Sequence, residues 1–231
     1  MTGRRSVEHR DRSDADDATR GNPGWTGTTE GTFPHVNGRC LIVVGSSWGG
    51  GEALRRVLGG LPTDSGACVL IVNHRRPGPS SLAAALSRDT PWRVVEAEDK
   101  DPILPGTAYL APGGYHLLVE PGHVALSTEG PVRYCRPSVD VLFESAADAY
   151  GADLTGVVLT GNNDDGAAGL ARIAARGGTA VVQDPATAER SVMPAAALAA
   201  TPGALVLGLD EIGPVLGQGC DARAAGAGVV A

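Results

Sequence analysis

The sequence carries one lysine, Lys100, so its basic charge rests almost wholly on arginine. Aromatic residues are 4% of the chain, which leaves Ala, Val, Leu and Ile to build a core and favours helices packed closely on a sheet. A net charge of -7 gives no electrostatic case for nucleic acid as a partner. No apolar run approaches the roughly 18 residues that span a membrane, which argues against direct insertion. Arg4, Arg5, Arg10 and Arg12 are followed by no hydrophobic segment, so a secretory signal is absent and the expected location is cytoplasmic. The four cysteines, Cys40, Cys68, Cys135 and Cys220, form no C-x-x-C pair. That spacing speaks against a structural zinc site or a disulfide framework, and the four are expected to be small buried hydrophobes. No histidine follows His123.

What is present is an ordinary globular composition, 42% hydrophobic and 19% charged over 231 residues, enough for one domain with a sizeable core. Residues 1–38 are polar and without periodicity and read as a disordered leader. Residues 39–216 read as the folded domain, and the Gly/Ala-rich stretch 217–231 as a flexible tail. Inside the domain, buried strands are expected at 40–44, 69–72, 156–160 and 179–182, with a short one at 204–207. They alternate with helices at 52–58, about 80–88, 138–150, 167–176 and 193–200. Residues 93–127 hold short strands with Pro/Gly punctuation, and Pro121-Gly122 marks a hairpin turn. Strands apolar throughout are covered on both faces. The fold class expected is therefore α/β: a doubly wound, mainly parallel sheet with helices on both faces and a small antiparallel insertion.

In such sheets the ligand crevice lies beyond the carboxyl ends of the strands. Three chemistry-bearing segments directly follow buried strands and converge there. Gly45-Ser46-Ser47-Trp48-Gly49 fits G-x-S-x-G at a strand-to-helix turn, where a serine is presented near helix N–H groups. Ser47 is the candidate nucleophile, and Ser46 is left to cap the following helix. His74 follows the second strand and is the candidate base, with His116 near enough in the pattern to be considered. Asp164 or Asp165, after the strand ending at Thr160, supplies the carboxylate that orients the base. The order Ser–His–Asp excludes the α/β-hydrolase arrangement, in which the acid precedes the histidine. A nucleotide site is disfavoured: the glycine turn has neither G-x-G-x-x-G nor a P-loop lysine, and residue 52 is Glu.

At this point the sequence resembles the CheB-type protein-glutamate methylesterases. The resemblance rests on Val44 to Gly50, on Asn73-His74-Arg75-Arg76-Pro77-Gly78, and on Leu104-Pro105-Gly106 with Tyr109 to Gly113 and His116. It continues through Arg136-Pro137-Ser138-Val139-Asp140-Val141-Leu142-Phe143 and through Leu159-Thr160-Gly161 with Asp165 to Gly169, so it covers about residues 40–216 in order. It implies Ser47 as nucleophile, His74 as base and Asp165 as orienter, with no metal and no cofactor. It implies hydrolysis of glutamate γ-methyl esters on chemoreceptor cytoplasmic helices, or on another methyl-esterified protein, and deamidation of glutamine in some members. Residues 1–38 are too few for the receiver domain that family members commonly carry, so a catalytic domain alone is expected. Trp48 stands where the family usually has a small residue, and Asn162-Asn163 replaces a Met-Gly pair. Those departures keep a second reading in play, a catalytically weak homologue serving as a binding or regulatory module.

Overall fold

The computed structural model describes residues 40–225. The expected leader, 1–38, lies outside them. Seven strands form one sheet: β1 (Cys40–Ser46), β2 (Ala67–Asn73), β3 (Arg93–Glu96), β4 (Thr107–Leu110), β7 (Leu154–Val158), β8 (Thr179–Gln183) and β9 (Leu205–Leu207). Their order is β3-β4-β2-β1-β7-β8-β9 and every pairing is parallel. β5 (His116–Glu120) and β6 (His123–Ser127) form a separate antiparallel hairpin. The insertion is thus narrower than the sequence suggests. The short strands at 93–96 and 107–110 extend the main sheet, because Thr107–Leu110 pairs with both β2 and β3.

The chain runs from β1 outward on one side through β2, then returns to place β7 on the other side of β1. The switch point, where doubly wound sheets open a crevice, therefore lies between β1 and β7. Alternate residues of each strand feed two cores. Leu41 and Val43 pack with α3 (Val139–Tyr150), α4 (Ala167–Ala175), α5 (Val192–Ala200) and the hairpin. Cys40, Ile42 and Val44 pack with α1 (Gly50–Gly60), α2 (Leu82–Asp89) and α6 (Leu209–Ala224). Burial on both faces explains the unbroken apolar strands. Truncating a fully buried Leu such as Leu54 to Ala costs about 2–5 kcal/mol.

Two expectations need correction here. The flexible tail placed at 217–231 overlaps α6, which runs to Ala224. Gly213 and Gly217 within it are packing notches. A Cβ at Gly213 would meet the Val57 carbonyl at 2.4 Å, and one at Gly217 would meet Pro62 at 2.7 Å. Their small size brings α6 against α1, and Pro214 packs over Gly60. That docking carries Cys220 to the start of β1, where it is disulfide-bonded to Cys40. Two of the four cysteines expected to be small buried hydrophobes outside any disulfide framework are therefore paired, although 180 residues apart in sequence.

Candidate active site

β1 ends at Ser46, which is fully buried and donates its hydroxyl to Asn73 Oδ1 at 2.9 Å, across the β1–β2 register. It therefore does not cap α1, which has no side-chain cap. Ser47 is the first residue past the strand. Its N–H donates to the Thr160 carbonyl at 2.9 Å, tying the turn to the end of β7. The sharp turn depends on glycine. Gly49 has φ 77°, and a Cβ on Gly50 would lie 2.2 Å from Asn73 Oδ1. Gly161, after β7, leaves room for the Ser47 side chain and Met193.

His74 follows β2, its N–H bonded to the Ser46 carbonyl. Its Nε2 lies 2.7 Å from Asp165 Oδ2. Asp165 is 1% exposed and sits at the N-terminus of α3. It accepts from Ser138 Oγ (2.8 Å), Val139 N–H (2.8 Å) and Asp140 N–H (3.0 Å). Gly45 and Gly166 make this seat possible, because a Cβ on either would collide with Val139 at the head of α3. Burial opposes the Asp165 charge, but the bonds from His74 and the helix N–H groups prevail and hold its pKa below the ordinary carboxylate value. Burial likewise opposes charge on His74, yet contacts with Asp165 and Cys135 outweigh it and raise the imidazole from 6.5 to about 9.

The structure separates the two aspartates left open by the sequence. Asp164 faces outward and pairs with Arg133, whereas Asp165 meets His74. Neither side chain caps α4, whose first N–H groups are served from α3 instead. Asp140 Oδ1 accepts from Gly166 N–H (2.9 Å) and Gly169 N–H (2.8 Å), and Arg133 Nε donates to its other oxygen at 3.0 Å. α3 and α4 thus exchange carboxylates: Asp165, just ahead of α4, caps α3, and Asp140 of α3 caps α4. His116 is structural. It is 1% exposed, accepts from Ser138 N–H at Nδ1, and its Nε2 lies 3.1 Å from the Gly130 carbonyl. His123 sits on the hairpin and pairs with Glu120.

The Nδ1 face of His74 holds residues whose role the sequence reading missed. Asn163 Nδ2 lies 3.5 Å from Nδ1 and 3.3 Å from Cys135 Sγ. The donor atoms of His74, Cys135 and Asp165 all lie within 4.8 Å of one another. Cys135 is half-buried and lines the site; its one sequence signal is that it directly precedes Arg136-Pro137-Ser138. Ser47 stands at the neighbouring strand end, and its hydroxyl makes no hydrogen bond among the described residues. Trp48 turns outward, 61% exposed, with Nε1 bonded to Glu189 Oε1 at 2.7 Å and the Arg190 guanidinium 5.5 Å over the ring. A pocket of about 500 Å3 opens beside His74, lined by Arg75, Arg76, Tyr134, Cys135 and Arg136 among others.

Chemically, a hydroxyl, an imidazole fixed by a buried carboxylate, and a strand-to-helix turn are the parts of an acyl-transfer site. A family model described as CheB methylesterase matches residues 42–216. A putative protein-glutamate methylesterase/protein-glutamine glutaminase of Leptospira interrogans is 44% identical over 175 residues, 74% of this chain and 90% of the relative. Relatives named protein-glutamate methylesterase/protein-glutamine glutaminase from Nocardioides sp. and, as number 2, from Caulobacter vibrioides are also 44% identical, over 78% and 76% of this chain. The chain spans only about half of their length, 50% and 52%. The crystal structure of the Thermotoga maritima CheB methylesterase catalytic domain superposes with a TM-score of 0.74 at 32% identity, covering 78% of this chain and 98% of that one.

Proposed function

This chain belongs to the CheB methylesterase family, and on that premise we propose that it hydrolyses glutamate γ-methyl esters on a protein substrate, with Ser47 as nucleophile, His74 as base and Asp165 as orienter. The observation that carries the reading is the His74–Asp165 bond at the strand end beside the Ser47 turn. Ser47 Oγ attacks the ester carbonyl while His74 Nδ1 takes its proton. Nε2–H stays on Asp165, which stabilises the imidazolium. The Trp48 N–H, which bonds no acceptor among the described residues, is placed to meet the oxyanion at the turn opening α1. The proton on His74 then leaves with methanol, and water, activated by the same imidazole, hydrolyses the acyl-enzyme. The net change is ester plus water to carboxylate, methanol and a proton. The same steps on a glutamine amide release ammonia, so the site supports deamidation as well.

The substrate proposed is the methylated cytoplasmic helices of a chemoreceptor, which places the enzyme's action in the cytoplasm. Among the described residues no helix is long and apolar enough to cross a membrane. The arginine-lined pocket beside His74 suits an acidic protein segment, and it stands out on a chain of net charge -7. The test is methanol release from methylated receptor fragments by the native chain and by Ser47→Ala. Release that vanishes in the variant supports the reading. Release that persists overturns the nucleophile. No release from the native chain, with no labelling of Ser47 by a serine-directed phosphonate, favours the weak homologue acting as a binding module.

A further inference from the structure

We infer that His74 Nδ1 and Cys135 Sγ form a binding site for one soft divalent cation of the zinc class, and that its occupation shuts the esterase off. The site is inhibitory and is not a cofactor site.

The arrangement around His74 is that of a metal-ligating histidine. Such a ring usually gives one nitrogen to a carboxylate and the other to the ion. Asp165 already holds Nε2, and its two oxygens accept four hydrogen bonds in all. It therefore stands behind the histidine and leaves Nδ1 as the donor. A tetrahedral ion with bonds of about 2.0 Å to nitrogen and about 2.3 Å to sulfur needs those atoms about 3.5 Å apart. A ring nitrogen of His74 and Cys135 Sγ lie within 4.8 Å of each other, and Asn163 Nδ2, 3.5 Å from Nδ1 and 3.3 Å from Sγ, marks the thiol as a neighbour of the Nδ1 edge, so rotation of the two side chains is what the site requires. Both residues line the open pocket, so an ion reaches them from solvent and water fills its remaining positions. Asn163, whose Nδ2 lies across the pair, has to swing aside.

Cys135 is the one cysteine suited to this. Cys40 and Cys220 are joined, and Cys68 is buried in the sheet. Of the neighbouring arginines, Arg75 is held by Glu96 and the Ala111 carbonyl and Arg136 by the carbonyls of Thr128 and Glu129, while Arg76, without a partner among the described residues, opposes the cation. Binding displaces the thiol proton and the proton that a charged His74 carries on Nδ1, both to solvent, and the thiolate supplies the compensating charge. The ion takes the Nδ1 lone pair on which the proposed proton transfer from Ser47 depends. The inhibition half of the inference rests on that mechanism; the binding half does not.

Cadmium is the probe, because its thiolate bond absorbs in the ultraviolet. The full chain is titrated with cadmium alone, alongside Cys135→Ala, Cys135→Ser and His74→Ala. The expected result is a charge-transfer band saturating at one equivalent in the native chain and absent from both cysteine variants. His74→Ala should weaken binding more than the roughly 10–100-fold that loss of an outer partner costs. No band in the native chain, a band persisting in Cys135→Ala, or unchanged affinity in His74→Ala each overturns the site. In the activity arm, zinc should abolish methanol release by the native chain, a chelator should restore it, and Cys135→Ala should resist; equal zinc sensitivity in Cys135→Ala overturns the inhibition. A native chain that binds cadmium but releases no methanol would count against the esterase reading and leave the metal site standing.

Discussion

The floor of the site and its rim are built on opposite rules. On the floor, Asp165 and Asp140 are buried, and each carboxylate caps the helix that follows the other's loop. Removing either should leave the N–H groups it caps without an acceptor. On the rim, Trp48 is 61% exposed, Tyr134 projects wholly into solvent, and Arg76 is exposed with no hydrogen bond or ion pair among the described residues. On the proposed mechanism the floor therefore serves chemistry and stability together, whereas the rim faces solvent and whatever binds there. Variants that damage both activity and folding should map to the floor, and variants that change substrate preference alone should map to the rim.

The strongest break is Asp165→Asn. The amide replaces one accepting oxygen by an NH2, which faces either His74 and the Val139 N–H or Ser138 and the Asp140 N–H, so the charged seat that orients the imidazole is lost. A loss in kcat of ~10 000-fold is expected, with a lowered Tm, measured by methanol release and thermal unfolding. Asp140→Ala is the second. It leaves the Gly166 and Gly169 N–H groups buried without an acceptor, at about 1–3 kcal/mol each. It should lower Tm clearly and reduce activity through the displaced Asp165 loop. An Asp140→Ala chain with native stability would mean that the exchange between α3 and α4 does not hold the floor together.

The titration of His74 sharpens the comparison, because stability and activity run in opposite directions there. Its folded pKa of about 9 lies above the ordinary 6.5, so the pair with Asp165 contributes stability fully below about 6.5 and loses it as pH rises through about 9. The proposed mechanism needs the neutral ring, so kcat/KM should climb toward about 9. Cys135 supports the raised value. Cys135→Ala should therefore move the acid limb of the profile to lower pH, measured in the presence of a chelator. An unmoved limb would remove Cys135 from the electrostatics of the floor.

Much of the floor's placement is legible in the sequence. Ser47, His74 and Asp165 each follow a strand apolar throughout, and the sheet rule sends all three to one edge. What escaped was whatever depends on contacts between distant segments. Helix α6 is interrupted by Pro214 and by glycines at 213, 217 and 219, so its periodicity is weak; Gly213 and Gly217 become packing notches only when α1 and Pro62 are beside them. The Cys40–Cys220 pair needs that same docking. The strands at 93–96 and 107–110 look like hairpin pieces until β2 supplies a parallel neighbour. Cys135 reads as another small hydrophobe because nothing local shows that residues 131–137 fold back over His74.

On the rim, Trp48→Ala should leave hydrolysis of a small aryl ester within about two-fold and Tm nearly unchanged, since exposed substitutions shift stability by about 0.5 kcal/mol or less. It should raise KM several-fold on a protein substrate, read from initial rates on methylated receptor fragments. An equal loss on both substrates would move Trp48, braced by Glu189 and Arg190, from the rim to the floor.

Arg76→Glu is the gentlest test and the one most specific to the rim. The side chain lines the pocket beside His74, is exposed, and has no partner among the described residues to lose. Folding should therefore not change, and neither should the rate on a small neutral ester. On an acidic protein substrate the reversed charge acts at long range, on encounter, so kcat/KM should fall a few-fold with kcat unaltered. The native enzyme should lose rate as salt rises past about 0.1 M, where the screening length shrinks to about 10 Å, and the variant should lose less or gain. Identical salt dependence in the two proteins would mean that the arginines beside His74 do not steer the substrate, and that its acidic character is read elsewhere on the rim.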